Sequence, residues 1–90
     1  SFELNEEYSI VEAKVPSKFV GQTVLEIGFK KNFDVVVLTT IKEEVKKNML
    51  GVNTTVMKVQ GVASSKTAME KGDIMVIYGH ITNIETLLAE

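Results

Sequence analysis

The chain has 90 residues, a net charge of −2 and an apolar fraction of 44%, which fits one small folded domain. It has no cysteine and a single histidine, His80, which excludes disulfides, a thiolate metal site and a histidine-rich zinc site. No basic block marks a nucleic-acid binder, and no apolar run approaches the ~20 residues of a membrane span.

The opening "SFELNEEYS" lacks the charged-then-apolar layout of a signal peptide. Residues 1–7 read as an acidic linker into a domain covering 8–90. "YSIVEAKV" (8–15) alternates, with Val11, Ala13 and Val15 the purer apolar side, and so reads as a half-buried strand that Pro16 ends. In "GQTVLEIGFKKN" (21–32), Thr23 and Glu26 make a capping box. A short helix is expected there, with Lys30 and Lys31 in its last turn and Asn32 as a left-handed stop.

"DVVVLTTI" (34–41) is nearly continuous and β-branched, the pattern of a strand covered on both faces. Strand, helix, strand in this order makes a βαβ unit or a near relative of it. "KEEVKKNMLGVN" (42–53) admits two readings. Glu43 and Lys47 suit an i,i+4 helical pair stopped by Gly51, and an extended hairpin arm competes. "TTVMKVQGVA" (54–63) reads as a strand with a bend at Gly61. "SSKTAMEKGD" is a connection ending in a Gly-Asp turn. "IMVIYG" (74–79) is a last buried strand, and Thr82 with Glu85 caps a closing helix of Asn83 to about Ala89, with Ile84, Leu87 and Leu88 as its apolar stripe. The fold class expected is α/β (α+β): a small βαβ-type domain of about four strands and two short helices. A core this small, without a staple, favours a symmetric partner.

The chemistry of an enzyme is missing from this pattern. The glycines form no phosphate-cradling fingerprint. His80 has no nucleophile and orienting group placed with it, and reads as a turn residue. Glu43 and Glu44 read as a solvated face. Asp73 reads as an acceptor of backbone hydrogen bonds in the turn before the last strand. No catalytic residue and no metal ligand is assigned.

Three pieces in this order, "SIVEAKVP", "FVGQTVLEIGFKKNFDVVVLTTI" and "MEKGDIMVIYGHITNIETL", resemble the TrkA C-terminal domain (RCK_C) family of bacterial potassium-uptake gating proteins and related ion transporters. The resemblance covers roughly residues 8–41 and 68–88. It is carried mainly by "VGQTVLEI", similar to the family's helix entry, and "EKGDIMVIYG", similar to its closing strand.

This resemblance implies a two-fold homodimer that regulates potassium transport, cytoplasmic and peripheral to the inner membrane through a channel or transporter subunit. It implies an N-terminal nucleotide-binding domain elsewhere in the full protein. No cofactor is expected in this domain, and cyclic di-AMP or another small cytoplasmic ligand is the candidate occupant of the dimer cleft. The cleft positions fall on Val24 and Leu25 as an apolar pair, on Lys30 where the family has arginine, and on Val36 where it has asparagine. Lysine lacks arginine's planar fork, and valine makes no polar contact. Two alternatives accompany this reading: a purely structural dimerisation module, and the same domain in a cation antiporter. The 42–56 stretch looks longer than the family's usual connection.

Overall fold

The structure, a computed structural model, describes residues 2, 3, 5 and 7–90. Among the described residues, five strands make one antiparallel sheet: β1 (Phe2–Glu3), β2 (Tyr8–Lys14), β3 (Val35–Lys47), β4 (Asn53–Val59) and β5 (Ile74–His80), in spatial order β1-β2-β5-β3-β4. With helices α1 (Val24–Ile27) and α2 (Ile81–Leu88) they form the small α+β domain expected from the sequence. β2 and β3 both run antiparallel to β5, which lies between them. The strand-helix-strand unit is therefore the split form, its two strands aligned but never paired. Within the expected linker, Phe2 and Glu3 pair with Ile10 and Ser9 of β2.

One face of the sheet is covered. Val35 and Val37 of β3 and Met75 and Ile77 of β5 point into a core roofed by Phe19, Ile27, Phe29, Met69, Ile84 and Leu87. Val11, Ala13 and Val15 of the β2 segment complete the floor, as the alternation predicts. Phe19 meets Phe29 edge to face, with centroids 5.3 Å apart. Burying a side chain such as Phe29, Met75 or Leu87 contributes about 1.5–3 kcal/mol each, and these carry most of the fold.

The capping box forms as expected. Thr23 Oγ1 accepts from Glu26 N at 3.2 Å, and Glu26 Oε1 accepts from Thr23 N at 2.9 Å. The helix is shorter than expected, however. Gly28, at φ 70°, stops it after one turn, and a π-helical turn over Phe29–Phe33 follows. The second left-handed residue is Asp34 rather than Asn32. Asn32 instead donates from Nδ2 to the Ile27 carbonyl at 2.8 Å, satisfying a group that the early stop leaves free.

One open reading is decided and two further expectations are corrected. The 42–53 stretch is extended: β3 continues past Ile41 and pairs with β4 through Lys47 and Asn53, with Gly51 at φ 76° in the turn. Glu43 then meets Lys14 at 3.2 Å rather than Lys47. β3 is covered on one face only, since Val36 remains 43% exposed. Finally, α2 begins at Ile81 with His80, not Thr82, as its cap. The extended backbone of His80 carries its ring over the first turn, where Nδ1 accepts from Thr82 N at 3.2 Å. His80 is thus a helix cap, and the Ile84 and Leu87 stripe lies in the core as the spacing predicts.

Candidate functional site

The second face of the sheet carries no helix, and its side chains are set by register. Cα partners directly opposite one another share a face. Ile10, Tyr78 and Val36 form one row across β2, β5 and β3; Glu12, Val76 and Thr39 form the next; Lys14, Ile74, Ile41 and Val59 form the third, reaching β4. The first and third rows are mostly apolar although no other part of the described chain's core covers them.

A β-bulge between Val37 and Thr39 organises both faces. Val35 and Val37 point inward before it, and Thr40 and Lys42 take the inward side after it. One extra residue thereby turns Thr39 and Ile41 to the open face and brings the Lys42 ammonium to the rim of the core.

At the β2–β5 end of the open face, three rings gather. Tyr8 stacks on Tyr78 at 5.9 Å between centroids, and its edge meets His80 at 5.3 Å. Lys30, exposed in the π-helical turn, pairs with Asp34 at 2.6 Å just before β3 begins. The hydrogen bond and charge of Asp34 raise the Lys30 pKa above the ordinary lysine value, with a smaller contribution from Tyr8. Val36 lies beside Tyr78 in the first row. Val36 therefore belongs to this end of the open face.

The other two expected site residues lie elsewhere in role. Val24 packs against the core. Leu25 is 73% exposed on α1, its backbone N donating to the Ser65 carbonyl at 3.1 Å. Val24 thus serves packing, while Leu25, Lys30 and Val36 are exposed on three different elements. Tyr8 and Tyr78 went unassigned at the sequence level. Their alternation on two strands was visible, but their stacking depends on the Ile10–Tyr78 register.

A second polar feature lies at the other end of the sheet, inside the rim. Lys42 Nζ bonds both oxygens of Asp73, at 3.0 and 3.1 Å, and also pairs with Glu70. Asp73 is buried and accepts from this ammonium, where the sequence suggested backbone donors. The Glu70 and Asp73 hydrogen bonds raise the Lys42 pKa above the ordinary lysine value. With Thr40, Gln60 and Thr67 these groups border an open cleft of about 200 Å³. The charges inside it satisfy one another, which suits a structural tie better than a ligand seat. No helix among the described residues is long and apolar enough to cross a membrane.

No protein-family model matches this chain, and no curated protein matches it.

Proposed function

We propose that the chain is a regulatory pairing module: two copies associate through their open sheet faces, and a small cytoplasmic ligand seated between them biases their spacing. The observation that carries this reading is the open face itself, two mostly apolar rows flanking the Glu12–Val76–Thr39 row across β2, β5 and β3, with no helix over them. A contiguous apolar patch on a folded domain marks a partner surface, and two-fold association is the commonest way to cover one.

The resemblance to the TrkA C-terminal domain family supplies the role. In that role the domain regulates a potassium-uptake gating protein, without catalysis of its own. A ligand acts by binding one spacing of the two copies better than another, and shifts the gate by no more than that difference in affinity. The Tyr8–Tyr78 stack offers a π-face to a purine, and the exposed Lys30 ammonium, paired with Asp34 at the start of β3, offers a cation to a phosphate. Cyclic di-AMP is the first ligand to test.

A specific observation favours a second reading, pairing without a ligand. Lys30 is already engaged by Asp34 at 2.6 Å, and the apolar Val36 stands where the family has a polar residue.

Sedimentation equilibrium tests the pairing, and titration calorimetry tests the ligand. The chain should dimerise at micromolar concentration, and Val76→Lys should leave a folded monomer. A monomer at high micromolar concentration overturns the reading. Heat saturating at one cyclic di-AMP per two chains, weakened by Lys30→Ala, supports sensing. Absence of heat at millimolar ligand leaves the pairing module alone.

A further inference from the structure

Beyond Ile41, β3 and β4 leave the sheet as a two-stranded ribbon, because β5 pairs with β3 only as far as that residue. A lone two-stranded ribbon is marginally stable in water. This one also exposes large apolar side chains: Val45 and Met57 along its length, and Met49, Leu50 and Val52 at its tip. Met49 and Leu50 are essentially fully exposed, at 102% and 87%. Its own copy leaves these side chains uncovered.

We infer that this arm, residues 42–58, is a clasp. In the pair, each copy's arm closes on the body of the other copy, with Met49, Leu50 and Val52 as its anchors. The inference rests on the proposal that the chain pairs through its open sheet face, and it adds where the rest of the interface lies.

Area favours it. Seven residues at about 3.3 Å by three strands at about 4.8 Å span roughly 330 Å² in projection, while a stable interface covers about 800 Å² on each partner. The arm extends the same face, since Ile41 and Val59, which end the third row, are its root. Two strands of six residues and their tip add roughly half as much surface again.

Charge selects the body over the other arm. Residues 42–58 hold four lysines and two glutamates, a net +2, so the remaining residues of a chain at −2 carry −4. Arm on body joins opposite signs, whereas arm on arm, β4 against β4, joins like signs. Lys47 and Lys58 have no ion-pair partner among the described residues, so they are available to carboxylates such as Glu7 and Glu12, which lie at β2, toward the other edge of the sheet.

The chain has no cysteine, so Leu50→Cys gives one labelling point. Label it with a benzophenone maleimide, mix unlabelled and 15N-enriched chains, irradiate, and map the cross-links. The expected product joins residue 50 of one isotopic chain to a residue outside 42–58 of the other. Cross-links confined to one chain, or joining arm to arm, overturn the clasp. In parallel, Met49→Ser/Leu50→Ser/Val52→Thr should raise the dimer dissociation constant by about 10- to 100-fold with the thermal midpoint of the monomer unchanged. A dimer that forms as tightly with the triple variant sinks the clasp and spares the sheet-face pairing; a wild-type chain that never pairs sinks both.

Discussion

Lys42 Nζ lies 3.0 Å from Asp73 Oδ2, and the Asp73 side chain is only 8% exposed. The pair ties the middle of β3 to the turn that enters β5. Only the bulge at Leu38 puts Lys42 on the inward side, so one irregular residue on β3 makes the contact possible.

Removing the cation strands a buried carboxylate. Lys42→Met should lower stability by about 1–3 kcal/mol, and Asp73→Asn by less, because the amide oxygen still accepts from Lys42. Urea unfolding of the two variants checks the order. A pH series adds a sign. The folded pKa of Lys42 is raised by Glu70 and then Asp73, so its contribution is present below the ordinary lysine range and is lost as pH climbs through the raised value. Lys42→Met should therefore flatten the alkaline limb of the wild-type profile. An unchanged alkaline limb would show that the pair contributes nothing in solution.

The capping box makes the opposite prediction in acid. Hydrogen bonds from the Thr23 backbone and then its hydroxyl lower the Glu26 pKa. Stability from this carboxylate is present above its unfolded value and fades as pH falls through the lower folded one. Glu26→Gln keeps an acceptor for Thr23 N, so melting at neutral pH should change little while the acid dependence weakens. Equal acid limbs for variant and wild type would contradict this.

Gly79 of β5 lies in register between Ser9 of β2 and Val35 of β3. A Cβ there would approach Val35 Cγ2 to 3.1 Å and the Asp34 carbonyl oxygen to 3.4 Å. Gly79→Ala should cost about 1–3 kcal/mol through overpacking. Adding Val35→Ala should cost less than the two single changes summed, because the smaller residue vacates the contact. Strict additivity in a double-mutant cycle would place the cost elsewhere.

His80 caps α2 through a ring nitrogen. His80→Ala removes the acceptor for Thr82 N and should cost about 1 kcal/mol, while His80→Asn should recover most of it. If alanine and asparagine melt alike, the ring acts by its contact with Tyr8 instead.

Much of the fold was legible because it depends on neighbours in sequence. The Thr23–Glu26 box, the Val11–Ala13–Val15 face and the Ile84–Leu87 stripe each show within a few residues of chain. The rest depends on partners far apart. Nothing in "VVVLTTI" signals a bulge, since the run has no glycine, and without the bulge neither the inward Lys42 nor the outward Ile41 follows. The 42–53 ambiguity had the same origin. Local charge spacing suited a helix, and only the pairing with β4 settles it as strand. The Gly28 stop was hidden because a glycine inside a helical pattern looks tolerable until Asn32 is seen closing over it. Of the open face, the apolar residues were visible, but which of them share a side depended on the register with β5.

β5 is the last strand of the sheet in sequence order and lies between β2 and β3. During synthesis, a nascent chain that has emerged only to residue 73 can form the β3–β4 hairpin and nothing else of the sheet's centre, and Tyr8 waits for His80. Because chain closure must precede the contacts that reward it, such a layout slows folding relative to a meander of the same size. Until β5 arrives, the apolar edges of β2 and β3 stand open together, which makes the interval on the ribosome the time of greatest risk for aggregation and the natural one for chaperone capture.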